Sequence, residues 1–167
     1  MIVRPERPGE ESAIRLVNDR AFGQPDEGDI VDRFRQGGRI VASLVASSED
    51  AAVIGHILFT PVAIDPPSAI RAVGLGPMAV EPLRQRHGIG SALVHAGLRT
   101  CGDLGCDVVV VLGHPEFYPR FGFKPASAFG LRCTYAVPDD VFMAIELKPG
   151  VLAAPGGGTV HYGPEFS

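Results

Sequence analysis

The stretch LGPMAVEPLRQRHGIGSAL, residues 75–93, decides the fold. Its first six residues predict the end of a β-strand, a polar turn follows, and Gly88 and Gly90 open a helical pattern. The first N–H groups of such a helix have no partner within the helix and point at the turn. Together with the positive end of the helix dipole, these donors predict a binding site for a small anion.

The composition of the turn supports an anionic ligand, and other nucleotide motifs do not match it. Gly88 and Gly90 lack a Cβ, which lets a phosphate approach the backbone, and two arginines in the turn add positive charge. A P-loop carries a lysine after its last glycine, where this chain has Ser91. A dinucleotide fingerprint carries a third glycine where this chain has Leu93. From the residues alone, an ordinary glycine-rich helix start with solvated arginines stays open.

The spacing of apolar residues predicts the other helices and strands. We expect helices at 10–22, 27–35, 88–104 and 116–120, and strands at 2–4, 40–46, 52–59, 71–80, 107–112 and 141–147. Two early helices, an antiparallel meander and one strand-helix-strand unit predict an α/β or α+β fold with a single sheet.

Length and composition predict one domain followed by a tail. The chain has 167 residues, of which 46 % are apolar, and this suits a single packed core. Residues 1–148 show no break in composition and predict one continuous domain. Residues 149–167 begin with a loop rich in glycine and proline and predict a C-terminal tail with an extended end at 159–162.

Charge and cysteine content exclude several classes of protein. The net charge of −4 and the absence of a Lys/Arg run argue against nucleic-acid binding. Three cysteines form an odd and sparse set, which argues against a disulfide framework and predicts a cytoplasmic protein. No stretch approaches the ~20 apolar residues that span a bilayer, so we expect no membrane partner.

Two motifs resemble those of a known enzyme family. Gln85-x-x-Gly88-x-Gly90 resembles the Gln/Arg-x-x-Gly-x-Gly/Ala pyrophosphate loop of the GNAT superfamily of N-acetyltransferases. Residues 117–123, FYPRFGF, resemble the Phe-Tyr-x-x-x-Gly-Phe motif that follows the family's fifth strand. The motifs stand in the family's order, and the resemblance covers roughly residues 1–148. It implies a GNAT-like fold: a mixed, mostly antiparallel sheet, splayed between its fourth and fifth strands and flanked by helices.

The resemblance also implies a cofactor, acetyl-CoA, and no metal. In the family, the pantetheine arm enters the splay and pairs with the backbone of the fourth strand, as an added strand would. Pro77 fits such a position independently, because it has no N–H to give to a sheet ladder. The implied cofactor-binding residues are Met78, Ala79, Val80, Gln85, Arg86, His87, Gly88, Ile89, Gly90 and Ser91.

By the same resemblance, the reaction is direct transfer of an acetyl group to a primary amine of a small molecule or protein. Tyr118 matches the tyrosine that gives a proton to the departing CoA thiolate, and its residue type alone would equally suit a packed aromatic. The alternative function is an acyl-CoA-binding module that has the same fold and no catalysis.

The general base does not carry over from the family. Some relatives have a glutamate four residues before the position of Met78, and this chain has Gly74 there. Either a water chain or His114 takes the proton of the amine. His114 is a candidate because an imidazole titrates near neutral pH; the alternative is that His114 only shapes the turn. Glu116 is a weaker candidate, and His56 is expected to be structural.

The acceptor pocket is expected between the early helices and the segment after the fifth strand. Asp26, Glu27 and Asp29 either attract a cationic amine or are solvated charges at a helix start. The extended end Val160-His161-Tyr162 either covers the pocket or pairs with a sheet edge. Pairing through edge strands or the tail would allow a homodimer.

Overall fold

A computed structural model describes residues 1–153 and 157–167. Residues 154–156, in the predicted Gly/Pro-rich loop, lie outside the described residues. The α-helices found there are α1 (Glu11–Phe22), α2 (Asp26–Gln36) and α3 (Ile89–Asp103). The strands are β1 (Ile2–Pro5), β2 (Ala42–Ser47), β3 (Val53–Pro61), β4 (Ala63–Asp65), β5 (Ala72–Val80), β6 (Val108–Leu112), β7 (Lys124–Pro125), β8 (Leu131–Cys133), β9 (Phe142–Glu146) and β10 (Gly158–His161). The longest of these helices, α3, has 15 residues, and none of the described helices could span a bilayer.

Seven strands form the main sheet, in the order β1-β2-β3-β5-β6-β9-β7. Neighbouring strands run antiparallel except β5 and β6, which are parallel. Parallel neighbours need a long crossover connection, and α3 supplies it. The predicted mixed, mostly antiparallel sheet flanked by helices is confirmed.

A second sheet of three strands, in the order β4-β10-β8, corrects the expectation of a single sheet. β4 and β8 have three residues each, which is too short for an alternating pattern to be visible in the sequence. β10 pairs with both strands, so that Val160 faces Ile64 on one side and Cys133 on the other. Val160 is fully buried. Residues 158–161 of the expected tail therefore pair with strand edges.

Different elements cover the two faces of the main sheet. α3 packs on one face, where a Cβ at Gly55 of β3 would lie 3.1 Å from the side chains of Ile89 and Leu93. On the other face, α1 and α2 cover β2 and β3 through a cluster made of Ile14, Val31, Phe34, Val45 and Leu58. The second sheet covers β6 and β9 on that same face. α1 also contacts β5, which brings the early helices next to the strand that the motifs single out.

An ion-pair network joins α1 to α2. Arg15 of α1 contacts Asp29 and Asp32 of α2, at 2.7 Å and 2.8 Å. These side chains are partly exposed, so each ion pair contributes little to the stability of the fold. The burial of Phe34 and Val31 contributes more, because each removes a whole apolar side chain from water. The network instead fixes how the start of α2 sits against α1.

Two buried thiols close the C-terminal end of α3. Cys101 lies near the end of the helix and Cys106 lies before β6, and both are free cysteines. The Cys106 N–H donates to the Cys101 carbonyl oxygen at 2.9 Å. Burial raises the pKa of the Cys101 thiol to about 12 and also raises the pKa of Cys106. Both side chains behave as small apolar core residues.

His56 of β3 is buried between α1 and β2, as expected of a structural residue. The Asn18 side-chain amide donates to the Ile14 carbonyl oxygen at 3.0 Å and lies 3.1 Å from His56 Nδ1. Nδ1 therefore accepts, and Nε2–H donates to Ser43 Oγ at 2.9 Å. Burial, with a smaller contribution from the charge of Arg35, lowers the pKa of His56 to about 3.

We predict that the protein loses stability as the pH falls from 7 toward 5. The folded-state pKa of His56 lies below its value in the unfolded chain, so acid protonates the unfolded state first. Stability from the neutral ring is complete above the unfolded pKa and is lost on acidification, by about 2 kcal/mol between pH 7 and pH 5. Urea unfolding at pH 7 and at pH 5 measures the free energy of unfolding. The control variant His161→Gln, which removes an exposed histidine and keeps His56, is expected to lose the same amount of stability. Equal stability at both pH values would contradict the assignment.

Candidate active site

β5 and β6 are the strands predicted at 71–80 and 107–112, and they correspond to the fourth and fifth strands of the expected GNAT-like fold. β5 pairs with its two neighbours over different lengths. β5 pairs with β3 up to Val80, with a shift of register between Ile57 and Phe59. It pairs with β6 only from Ala72 to Leu75. The edge of β5 from Gly76 to Val80 that faces β6 therefore has no strand neighbour among the described residues. Pro77 lies at the beginning of this gap, which agrees with the prediction from its missing N–H.

Helix α3 begins beside this gap with free donors. Gly88 precedes the helix in a left-handed conformation, with φ of 83°, and no side chain of residues 1–153 or 157–167 caps the helix. The first helical hydrogen bond runs from the Ala92 N–H to the Gly88 carbonyl oxygen, at 3.0 Å. The N–H groups of residues 89–91 make no hydrogen bond within the described part of the chain. Arg86 also has a positive φ, 64°, so the turn holds a non-glycine residue in a conformation that costs energy.

A cleft of about 1470 Å³ runs from this turn across the gap to α1 and α2. Seven of the cofactor-binding candidates line it, namely Met78, Val80, Gln85, Arg86, Gly88, Gly90 and Ser91. Three do not: Ala79 and Ile89 are buried in the core, and His87 is exposed outside the lining. A Cβ at Gly90 would lie 3.6 Å from the Met78 methyl group and would narrow the cleft there.

Tyr118 forms the wall of the cleft opposite β5. The expected helix at 116–120 is a short 3₁₀ turn, Tyr118–Phe121. The ring of Tyr118 packs edge-on against the rings of Phe117 and Phe123, at 5.0 Å and 5.6 Å between ring centroids. Tyr118 is 6 % exposed. Burial raises the pKa of the phenol to about 12, so the hydroxyl keeps its proton at neutral pH.

Gly113, directly after β6, lines the cleft and is not among the residues expected from the sequence. A Cβ at this position would collide with the ring of Tyr118. The absence of a side chain therefore lets the tyrosine lie against the end of β6. The only sign of this packing in the sequence is that a glycine lies between a buried strand and the FYPRFGF segment.

The far end of the cleft lies between the early helices and the segment after β6. The acceptor pocket is expected in this region, and that assignment stays a prediction. α1 and α2 contribute Ala21, Phe22, Glu27 and Ile30. Residues 135–137, Tyr162 and Phe166 complete this end, and most of these were missed because they lie far apart in the chain. Of the three early acids, Glu27 lines the cleft, Asp29 pairs with Arg15, and Asp26 is exposed outside the lining.

The chain is similar in sequence to known proteins. Residues 39–125, which include the gap, the turn and Tyr118, match the model of the acetyltransferase (GNAT) domain. The chain belongs to the GNAT family. YhbS of Escherichia coli strain K12, described as an uncharacterized N-acetyltransferase, is 31 % identical to this GNAT chain over 167 residues, which are 100 % of this chain and 99 % of YhbS.

Two solved structures are similar to this GNAT protein over nearly its whole length. YhbS from Escherichia coli, in complex with CoA, has a TM-score of 0.93 at 31 % identity and covers 99 % of this chain and 91 % of its own. A GNAT family acetyltransferase from Brucella melitensis, in complex with acetyl-CoA, has a TM-score of 0.81 at 34 % identity. The match covers 99 % of this chain and 97 % of the Brucella chain. The second sheet and the C-terminal residues therefore belong to the part of the fold that these relatives share.

The candidates for a general base occupy different surroundings in this GNAT fold. His114 and Glu116 are exposed and line the cleft, whereas His56 is buried away from it. At Gly74, where some relatives have a glutamate, a Cβ would lie 2.9 Å from Cε1 of Tyr162. The ring of Tyr162 thus fills the space that a side chain at residue 74 would need.

We predict that Gly113→Ala destabilises the fold by about 1–3 kcal/mol, because the new methyl group overpacks the space taken by the Tyr118 ring. Urea unfolding measures the change. The control is Gly102→Ala, on an open surface of α3 with no atom within 4 Å of the new Cβ. The control is expected to be neutral or slightly stabilising, as for any exposed helical glycine. Equal unfolding midpoints for the two variants would contradict the packing of Tyr118 against Gly113.

Proposed function

We propose that this GNAT protein transfers an acetyl group from acetyl-CoA directly to a primary amine. One observation carries the proposal: the free N–H groups that start α3, the unpaired edge of β5 and the phenol of Tyr118 all border one cleft. Relatives at 31 % and 34 % identity bind CoA or acetyl-CoA, which supports the same donor here.

In this proposal, the cofactor lies across the gap between β5 and β6. Its pyrophosphate accepts hydrogen bonds from the backbone N–H groups between Gln85 and Ser91, with Arg86 adding charge. The Gln85 side-chain amide donates to the Val80 carbonyl oxygen at 3.1 Å and ties the turn to the end of β5. The pantetheine arm pairs with the free edge of β5 at Met78 and Val80, and this brings the thioester toward Tyr118.

The reaction needs a placed amine, a stabilised oxyanion and a proton donor for sulfur. The neutral amine attacks the thioester carbonyl, a C–N bond forms, and the C–S bond breaks. Tyr118 donates a hydrogen bond to the departing thiolate. A phenol with a pKa of about 12 is a weaker acid than an ordinary thiol, so complete transfer of its proton to the thiolate is unfavourable. The hydrogen bond from the phenol instead stabilises the negative charge that develops on the sulfur.

The amine must lose its proton before or during the attack. Tyr162 covers Gly74, so the proton does not pass through that position. His114, which lines the cleft in the turn before Tyr118, takes the proton directly or through water.

An acyl-CoA-binding module without catalysis is the second candidate. The glycine at residue 74, in place of the glutamate of some relatives, favours it. The protonated phenol of Tyr118 against the cleft favours catalysis, because simple binding of a thioester needs no proton donor.

We predict that Gly88→Val raises the Kd for acetyl-CoA by more than about tenfold, or about 1.4 kcal/mol. A β-branched residue is disfavoured at a φ of 83°, and its side chain would keep a phosphate from the helix start. Calorimetry with acetyl-CoA measures the affinity. Gly9→Val is the matched control, since Gly9 also has a positive φ, 93°, and open space around it, outside the lining of the cleft. Unchanged affinity in Gly88→Val alongside a folded protein would show that the turn does not hold the cofactor.

We predict that Tyr118→Phe lowers kcat by about 10²-fold or more and leaves the Kd for acetyl-CoA unchanged, because the ring is kept and only the proton donor is lost. Turnover is measured as acetylated amine by mass spectrometry, with a saturating amine acceptor. Tyr135→Phe removes another phenol that lines the cleft and is expected to keep its activity. A full kcat in Tyr118→Phe would exclude Tyr118 as the proton donor.

A further inference from the structure

The acceptor end of the cleft has an apolar, mostly aromatic wall. Separate parts of the chain build it: the end of α1, the start of α2, the loop after β8, and the C-terminal segment. The apolar residues of this wall are Phe22, Ile30, Tyr135, Val137, Tyr162 and Phe166.

Three of these side chains are exposed at the mouth of the cleft. Phe22, Tyr135 and Val137 are 40 %, 43 % and 37 % exposed. Large apolar side chains that stand alone on a surface need no explanation, but a group of them at the edge of one pocket indicates a binding surface. The apolar body of a ligand would remove all three from water at once.

The deeper part of the wall is held in place by the second sheet. Tyr162 follows β10 directly, and its ring lies 5.7 Å from Phe166 and 5.9 Å from Tyr135, measured between ring centroids. The Tyr162 hydroxyl is buried and has no hydrogen-bond partner among the described residues. The fixed rings favour a flat or bulky apolar group, whereas the hydroxyl provides a single polar position in this part of the wall.

Little negative charge faces the same region. Glu27 is the only acid that α1, α2 and the described C-terminal residues contribute to the lining. Asp29 is turned toward Arg15, at 2.7 Å. The other acid of the lining, Glu116, belongs to the turn that carries Tyr118. A polycation needs several carboxylates, whereas one half-buried carboxylate suits a single ammonium group.

We propose that the acceptor is a small primary amine that carries one cationic nitrogen on an aromatic or bulky aliphatic body. This inference rests on the proposed acetyl transfer. The apolar body packs between Phe22, Tyr162 and Val137, and Glu27 attracts the ammonium group. The ammonium group first loses one proton to His114, directly or through water, and the neutral nitrogen then bonds to the acetyl carbon. The nitrogen loses its second proton by the same route, and the C–S bond breaks to leave a CoA thiolate, which takes up one proton to become the thiol. A peptide acceptor fits less well, because the apolar wall offers few partners to backbone polar groups.

The test is a comparison of kcat/KM across amines, with acetyl-CoA as donor. The panel contains two apolar monoamines, 2-phenylethylamine and tryptamine, and ethylamine, which is the matched amine without the phenyl group. It also contains two polycations, spermidine and kanamycin, and a lysine peptide. Burial of a phenyl group predicts a kcat/KM for 2-phenylethylamine at least about tenfold above that for ethylamine. We expect the polycations and the peptide to fall below 2-phenylethylamine.

Variants at the exposed mouth test the wall without disturbing the core. Phe22→Ser and Val137→Ser are each expected to lower kcat/KM for 2-phenylethylamine by about threefold to tenfold and to lower kcat/KM for ethylamine by a smaller factor. Leu104→Ser is the matched control, since Leu104 is 46 % exposed and lies outside the lining. Glu27→Gln is expected to raise KM for both amines, because both carry the cationic nitrogen.

The outcomes separate this inference from the proposed function. Acetylation that favours spermidine, kanamycin or the peptide over 2-phenylethylamine would overturn the acceptor class and leave acetyl transfer intact. Equal kcat/KM for ethylamine and 2-phenylethylamine, or no effect of the mouth variants, would overturn the role of the apolar wall. If acetyl-CoA binds but none of the amines is acetylated, the proposed function itself fails, and the acceptor class fails with it.

Discussion

The end of pairing between β5 and β6 at Leu75 is the constraint on which the candidate site depends. Beyond this residue the two strands no longer satisfy each other's backbone groups, so β5 keeps a free edge toward the cleft. Pro77 stands at the point of separation and could not have donated to a ladder in any case. Since α3 begins directly after β5 and a short turn, the free edge and the free helix start open into the same cleft. Tyr118 reaches that cleft from the other side of the gap.

The parts of the site that could be predicted from the sequence are local ones. A strand, a turn and a glycine-rich helix start are contiguous in residues 75–93, so their spacing alone indicates how they are arranged. Pro77 could be assigned to a bulge or splay because its missing N–H is a property of the residue. The FYPRFGF segment was found through resemblance to a family, and its expected helix became a 3₁₀ turn with Tyr118 buried among aromatic rings.

The parts that could not be predicted depend on contacts between distant segments. β4, β8 and β10 are short, and each is stabilised by a partner far away in the chain. Tyr162 meets Gly74 only because β10 is fixed in that second sheet, and no local pattern signals such a contact. The requirement for Gly113 arises from the ring of Tyr118, whose position is itself a product of the fold. The absence of a glutamate at residue 74 was visible in the sequence, but the tyrosine that fills the space was not.

The two buried thiols at the end of α3 have a consequence for a protein that handles thioesters. Thiol–thioester exchange proceeds through the thiolate, and burial keeps Cys101 and Cys106 protonated and out of contact with solvent. An activated acyl group released near the protein therefore finds no nucleophile at these positions. The same burial protects them from mixed disulfides with free CoA, so the core beside β6 stays chemically inert toward thiols and thioesters in solution.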